Sequence, residues 1–243
     1  MKRFALIGGT GALEVAAQAV APGDVPSTPY GEASSPLLRW RSGDIEFCFL
    51  ARHGLAGVIP PHRVNYRANV WALRDAAPDG MLGINAVGGI SASACPARLV
   101  FPNQIIDYTW GREHTFNDGD LRPLQHMEFT EPFSCRLHAL LIDRAAALEL
   151  DYEPSGTYGV TQGPRLETRA EIDRMAGDGC DIVGMTGMPE AALAGELELD
   201  YAIIAVIVNR AAGRAPSGQG IHDEIGQFMA AGMGQVGRLL AAL

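Results

Sequence analysis

Short runs of apolar residues alternate along the chain with longer segments in which apolar residues recur every three or four positions. The short runs predict strands, and several are apolar at consecutive positions, as in strands buried on both faces. The longer periodic segments predict amphipathic helices. We expect strands at 4–9, 45–51, 81–89, 97–106, 156–160, 180–185 and 201–208, and helices at 65–77, 134–150, 165–179, 188–199 and 221–243.

This alternation is typical of an α/β fold with a central, mostly parallel mixed sheet flanked by helices. The chain of 243 residues is long enough for one domain with a substantial core. The turn-rich stretch 22–36 is followed by no change in composition, so a single domain over 1–243 is expected. In such folds ligands bind beyond the carboxyl ends of the strands. The residues that follow each strand are therefore the candidates for a site.

The first two predicted strands end in groups suited to an anion. The first ends in Gly-Gly-Thr-Gly at 8–11. Its glycines allow close approach of the backbone to a ligand, and Thr10 adds a hydroxyl. The second strand is followed by Arg52, whose planar fork suits phosphate, and by His53, which can donate beside it. His62 and Arg63 compete for the same role.

The third and sixth strands add further neutral donors. Asn85 and Ala86 precede paired glycines, and Thr186 stands before a predicted helix. Each signal has a plainer explanation, such as a tight turn at 8–11 or a helix cap at Thr186. Together they contain no acidic residue, so they predict a site for a phosphate-sized anion and no metal site. The glycine spacing matches neither a dinucleotide fingerprint nor a P-loop.

Two other residues suggest a purine site. The run of seven apolar residues 202–208 ends in Asn209, and Glu167 stands at the start of a predicted helix. An amide can donate to O6 and N7 of a 6-oxopurine, and a carboxylate can accept from its N1–H. A 6-aminopurine lacks that N1–H and should be disfavoured. The simpler alternative makes Glu167 a first-turn helix residue and Asn209 a strand cap.

Composition narrows the class of protein. With 19 basic and 28 acidic residues, the net charge is −9, which argues against a nucleic-acid surface. Four widely spaced cysteines predict free thiols in a reducing compartment. The apolar run 4–7 is too short for a signal peptide, and no segment approaches a membrane span. We expect a cytoplasmic protein without a membrane partner.

Several longer motifs carry a resemblance to a known family: RHG, PPHRVNYRANVWAL, NAVGGI, QIIDYT, TQGPRLETRAEI and DIVGMTGMPEAALA. The sequence resembles the trimeric purine nucleoside phosphorylases and methylthioadenosine phosphorylases from about residue 4 to about 212, and most closely their bacterial methylthioinosine branch. The resemblance implies a phosphorylase-type α/β fold, a homotrimer, inorganic phosphate as co-substrate and no organic cofactor. The implied reaction is phosphorolysis of a 6-oxopurine nucleoside, with S-methyl-5′-thioinosine as the preferred substrate.

The resemblance also assigns roles to residues. Glu167 and Asn209 match the base-recognising positions of the 6-oxopurine enzymes, where the methylthioadenosine branch has Ser and Asp, with another Asp at the position of Ala211. Leu166 and Met185 match substrate-contacting positions, and His126 matches a histidine that reaches the neighbouring subunit's 5′ pocket. The positions matching the phosphate site are Thr10, Arg52, His53, Ala86 and Thr186.

Two departures leave alternatives open. Gly57 replaces a histidine found near the sugar in many relatives, which keeps open a nucleoside-binding protein without catalysis. His222 falls where enzymes acting on 5′-hydroxyl nucleosides have a histidine, so inosine or guanosine would be preferred if it lines the pocket. Methylthioadenosine phosphorylase is the other alternative.

Overall fold

The structure, a computed structural model, describes residues 1–9, 11–17, 19, 23–77, 79–119, 126–215 and 221–243, the last range without the side chains of 221–224. Its helices are α1 (Tyr66–Arg74), α2 (Cys135–Ala147), α3 (Arg169–Gly177), α4 (Gly187–Glu196) and α5 (Ile221–Ala241). Its strands are β1 (Lys2–Gly8), β2 (Ser27–Thr28), β3 (Gly31–Glu32), β4 (Leu37–Ser42), β5 (Ile45–Ala51), β6 (Met81–Gly89), β7 (Leu99–Val100), β8 (Gln104–Asp107), β9 (Tyr152–Glu153), β10 (Thr157–Val160), β11 (Ile182–Gly184) and β12 (Tyr201–Arg210).

Ten of these strands form one mixed sheet. Its main path runs β4-β5-β1-β6-β11-β10-β8, and β12 pairs along the other side of β6 and also with β7, which pairs with β9. The pairs β1–β5, β1–β6, β6–β12, β8–β10, β10–β11 and β7–β9 are parallel, whereas β4–β5, β6–β11 and β7–β12 are antiparallel. The predicted fold class is confirmed.

Alternating side chains of the strands build a core on each face of the sheet. Phe4 and Leu6 of β1 pack in one core with α2 and α5, while Ala5 and Ile7 pack in the other with α1 and α4. The long strand β12 divides its residues in the same way. Burial on both faces explains why these strands are continuous apolar runs. Among the described residues, no helix has the length and apolar composition needed to cross a bilayer.

Three sequence predictions differ from the structure. The expected strand 97–106 is two strands, β7 and β8, separated at Pro102, which cannot donate to a ladder. The edge strand β4 was not predicted, although its burial alternates as expected for an antiparallel edge. Helix α3 begins at Arg169, four residues later than expected. The four cysteines are free thiols, as expected.

A gap in the sheet beside β6 positions the site. Strand β1 pairs with β6 only up to the partners Gly8 and Ile84, and β11 pairs with it only at Gly88 and Gly89. Between these two contacts, residues 85–87 pair with β12 alone. The sheet therefore splits on that side of β6, at the carboxyl end of β1.

Candidate active site

A cavity of about 470 Å³ occupies this split. Its wall combines the ends of β1, β5, β6, β11 and β12 with the loops after β5 and β10 and with one face of α5. The lining residues are Gly9, Arg52, His53, 57–61, 86–88, Pro164, Leu166, Glu167, 183–186, Val208, Asn209, Ala211, Ala212, Ile225 and Met229. Most of the residues singled out in the sequence therefore meet in one place.

Arg52 lines the cavity and is held in a buried ion pair. Its side chain is 1% exposed and that of Glu190, at the start of α4, is 0% exposed. Arg52 Nε donates to Glu190 Oε1, and Nη2 donates to Oε2 at 2.9 Å. Tyr201 of β12 donates its hydroxyl to Glu190 Oε2 at 3.1 Å. The carboxylate thus holds the planar edge of the guanidinium that the sequence analysis offered to phosphate.

A count of donors shows what Arg52 has left for a ligand. A guanidinium has five N–H groups. Nε and Nη2 are occupied by Glu190 and by the carbonyl of Ile7 at 3.1 Å, and Nη1 donates once to the carbonyl of Ile84 at 3.3 Å. Among the described residues, the second N–H of Nη1 has no acceptor. Nη1 lies close to Gly9, where a Cβ would be 3.0 Å from it. Glu190 closes the Nε–Nη2 edge of the fork to phosphate, so a contact from Arg52 to phosphate would come from Nη1.

Asn85 lies behind the cavity wall and does not line the cavity. It is 1% exposed, and its amide Nδ2 donates to Thr186 Oγ1 at 2.8 Å. Since this bond occupies one lone pair of Thr186, the hydroxyl proton of Thr186 is directed elsewhere. Asn85 therefore orients the Thr186 hydroxyl, which itself lines the cavity.

His53 is held in one tautomer by the loop after β5. Its Nδ1–H donates to the carbonyl of Ile59 at 2.7 Å. Burial, assisted by the positive charge of Arg52, lowers the pKa of His53. A neutral ring with Nδ1 protonated presents Nε2 as an acceptor. The expectation that His53 donates to the anion therefore does not hold for this tautomer.

Glu167 stands in the loop before α3, outside the helix. Thr161 donates its hydroxyl to Glu167 Oε1 at 2.6 Å. The next residue, Thr168, caps α3 by accepting from the backbone N–H of Glu171, whose side chain accepts from the backbone N–H of Thr168. Glu171 thus takes the capping role, and the alternative that made Glu167 a first-turn residue is wrong. Glu167 is left to line the cavity.

Asn209 reaches the cavity because of a β-bulge. The register of β12 on β6 shifts between Ile207, opposite Val87, and Asn209, opposite Gly88. On a regular strand, neighbouring side chains point to opposite faces, whereas here Val208 and Asn209 both line the cavity. Asn209 Nδ2 donates to the carbonyl of Arg210 at 2.7 Å, which orients the amide.

Of the remaining predicted residues, some line the cavity, one does not, and two cannot be placed in it. Ala86, Leu166 and Met185 line the cavity. His126 is exposed and does not line the cavity of its own chain. Thr10 and the side chain of His222 lie outside the described residues. Gly57, the departure from the family pattern, lines the cavity with a φ of 66°, a left-handed conformation that favours glycine.

Sequence reasoning gave no role to five residues at or beside the cavity. Glu190 appeared only within the motif DIVGMTGMPEAALA, although an acid within its apolar segment MPEAALA is itself a sign of a buried pair. Thr161 appeared only as the first residue of the motif TQGPRLETRAEI, and Arg112, described below, carried no periodic or motif signal. Ile225 and Met229 of α5, which add apolar wall to the cavity, looked like ordinary helix-face residues.

The comparisons with known proteins agree with this geometry. The sequence matches the phosphorylase superfamily over residues 3–243, and the chain belongs to that family. It is 46% identical over 241 residues to a probable S-methyl-5′-thioinosine phosphorylase of Pseudomonas syringae pv. tomato, covering 99% of this chain and 98% of the relative. It is 43% identical to the 6-oxopurine nucleoside phosphorylase of Pyrococcus furiosus, covering 94% and 87%.

Solved structures show the same fold. The methylthioadenosine phosphorylase of Schistosoma mansoni in complex with adenine superposes with a TM-score of 0.91 at 31% identity, covering 100% of this chain and 90% of the other. The family resemblance inferred from the sequence is thus confirmed.

Proposed function

We propose that the protein catalyses phosphate-dependent cleavage of the N-glycosidic bond of a 6-oxopurine nucleoside, with S-methyl-5′-thioinosine as the preferred substrate. Hypoxanthine and 5-methylthioribose 1-phosphate are then the products. The observation that carries this proposal is that Glu167 and Asn209 share one cavity with Arg52, His53 and Thr186. The functions named for the relatives from Pseudomonas and Pyrococcus support it.

Two polar side chains of the cavity, those of Glu167 and Asn209, recognise the base. Glu167 accepts the N1–H of hypoxanthine, and the Thr161 hydroxyl holds the carboxylate for that contact. Asn209 donates to N7 or O6 of the base. A 6-aminopurine has no hydrogen on N1 to offer and meets an unpaired carboxylate, which costs it affinity.

The residues that we propose to bind phosphate bring little net charge to it. Thr186, the free N–H of Arg52 and backbone N–H groups donate to phosphate oxygens. His53 Nε2 accepts the hydrogen of a monohydrogen phosphate. Since Glu190 balances the charge of Arg52, the phosphate dianion keeps most of its own negative charge available for the sugar.

In the reaction, a phosphate oxygen forms a bond to the anomeric carbon as the bond from that carbon to the purine nitrogen breaks. Positive charge that develops on the sugar is stabilised by the adjacent phosphate, and negative charge that develops on the base is taken up by Asn209. Holding both substrates in one cavity supplies much of the remaining acceleration. The proposed chemistry needs no covalent enzyme intermediate, no metal and no organic cofactor.

The 5′ substituent of the nucleoside is part of the proposal. Ile225 and Met229 add apolar wall to the cavity, which favours a methylthio group over a hydroxyl. We further propose a homotrimer in the cytoplasm, in which the exposed His126 of one subunit completes the 5′ pocket of the next.

Release of base by the purified protein tests this function. Methylthioinosine, inosine and methylthioadenosine are compared side by side, each with and without phosphate, which separates phosphorolysis from hydrolysis. We expect phosphate-dependent turnover with methylthioinosine well ahead of both others. Preference for inosine would place His222 in the 5′ pocket. Preference for methylthioadenosine, the substrate class of the Schistosoma relative, or saturable binding without turnover, would overturn the proposal.

A further inference from the structure

Arg112 is a second buried arginine near the cavity, and it differs from Arg52 in its partners. Arg112 is only 9% exposed, and its guanidinium lies over the Tyr66 ring, 5.2 Å from the ring centre. It does not line the cavity. Among the described residues, no carboxylate lies within 4.0 Å of it, so it takes part in no ion pair there.

One side of the guanidinium holds the segment 161–167, which we call the base wall. Nη2 donates to the carbonyls of Thr161 at 3.2 Å and Gln162 at 2.9 Å, and Nε donates to Gln162 Oε1 at 3.1 Å. Thr161 in turn bonds Glu167. Arg112 thus fixes the backbone from which the contact to Glu167 is made.

The other side holds the segment 184–188, which we call the phosphate wall. Nη1 donates to the carbonyls of Met185 at 2.8 Å and Met188 at 2.6 Å and also meets the Tyr66 hydroxyl at 3.2 Å. The two carbonyls flank Thr186, which lines the cavity together with Met185. A single planar group therefore spans the two walls.

The donor count shows that this arrangement requires arginine. The five N–H groups of Arg112 all point to oxygen atoms on the two walls, on Gln162 or on Tyr66. A lysine has three donors on one atom and cannot reach both walls in a fixed plane. Without the guanidinium, the carbonyl of Met188 in its buried contact and three part-buried carbonyls lose this donor at once.

We propose that Arg112 is a positioning residue that fixes the base wall and the phosphate wall relative to each other, so that base and phosphate are held in register for the reaction. This inference rests on the proposed function only in that both substrates share the cavity. It does not depend on which purine or which 5′ substituent is used. Loss of Arg112 is expected to impair use of nucleoside and phosphate together.

The experiment compares wild type, Arg112→Ala, Arg112→Lys and, as a matched control, Arg136→Ala. Arg136 also bridges separate segments, through Asp200 and the carbonyl of Asp79, but does so at the amino ends of the strands. For each protein, kcat and the KM values for nucleoside and for phosphate are measured, with the folded fraction checked by thermal melting. Wild-type turnover on the best substrate tests the proposed function, and variant-to-wild-type ratios test this inference.

For folded Arg112→Ala we expect both KM values to rise and kcat to fall, with a combined loss of about 100-fold in efficiency, as a displacement of about 1 Å produces. Millimolar guanidinium should restore part of that loss, whereas sodium chloride at the same concentration should not. If Arg112→Ala does not fold, Arg112→Lys decides the matter, with a smaller rise in both KM values. Unchanged constants in the folded variants, or a change confined to one substrate, would overturn the proposal.

Discussion

The two ends of the cavity are built differently. At the phosphate end, Arg52, Glu190, Tyr201 and Asn85 form a network that is buried and contributed by four separate elements. At the base end, Glu167 stands in a loop before α3, and Asn209 depends on one bulge at the end of β12. In the proposed function, the part that binds phosphate is a hydrogen-bonded network within the core, whereas the part that selects the base consists of two side chains, the buried Asn209 and the half-buried Glu167. Changes at the first should therefore affect folding, and changes at the second should affect specificity.

The largest expected effect is on stability, at the phosphate end. Glu190→Ala leaves the buried charge of Arg52 without a partner and should lower the free energy of unfolding by about 3–5 kcal/mol. Urea unfolding measures it. As a control, Glu46→Gln removes a surface partner of Arg41 and should cost less than about 1 kcal/mol.

A double variant separates stability from function at the same place. Arg52→Met with Glu190→Met removes both charges together, so much of the stability should return. Activity should not return, because the remaining Arg52 N–H toward phosphate is lost. If the single Glu190→Ala variant is as stable as wild type, the contrast between the two ends does not hold.

The next largest effect is on turnover, at the base end. Asn209→Ala removes the donor for the negative charge that develops on the leaving base, and kcat on inosine-type substrates should fall by about 100-fold or more. Stability should change little by comparison. The measurement is steady-state phosphorolysis, and an unchanged kcat would remove Asn209 from the mechanism.

A smaller effect is expected at Glu167. Glu167→Ala loses a charge-assisted hydrogen bond of about 1.5–3 kcal/mol to the N1–H of a 6-oxopurine. The efficiency for methylthioinosine should fall accordingly, while that for methylthioadenosine should change much less, since its N1 carries no hydrogen. Measuring both nucleosides on one variant provides the control, and equal losses on both would contradict the assignment of Glu167 to N1–H.

The smallest effect concerns pH and His53. Because the pKa of His53 is lowered in the folded protein by burial and then by Arg52, the unfolded chain binds the proton more readily. The free energy of unfolding should therefore fall as pH drops below about 6.5, the ordinary histidine value, and gain nothing from this residue above it. Urea unfolding from pH 8 to pH 5 tests this, with a shallower decline expected for His53→Gln. An identical decline would show that His53 titrates normally.

Much of the base end was visible in the sequence, because its signals are local. The apolar run before Asn209 predicted strand β12, which ends at Arg210, two residues later than expected, and the segment TQGPRLETRAE pointed to Glu167. What could not be seen was why these two side chains reach the cavity. The bulge at Val208 depends on the pairing of β12 with β6. The side chain of Glu167 can line the cavity because Glu171, and not Glu167, completes the N-terminal cap of α3.

The sequence predicted which residues gather at the phosphate end but not which hydrogen bonds they make there. Arg52 and Glu190 are separated by 138 residues, so no local pattern links them. The sequence therefore offered the whole fork of Arg52 to phosphate, whereas its Nε–Nη2 edge bonds Glu190. The contacts expected from Asn85 and His53 to the anion differ from those observed for the same reason. Their hydrogen-bond partners, Thr186 and Ile59, are brought to them only by folding.

The sequence by itself determined the α/β class, the main strands, the family and the residues that gather at the strand ends, because periodicity and motifs are properties of neighbouring residues. Only the tertiary structure decided which donors remain for a ligand. A buried polar group is satisfied by whatever the fold brings within about 3 Å of it, and those partners come from distant parts of the chain. Arg112 shows this most clearly, since its five donors bond segments that meet only when the sheet has formed.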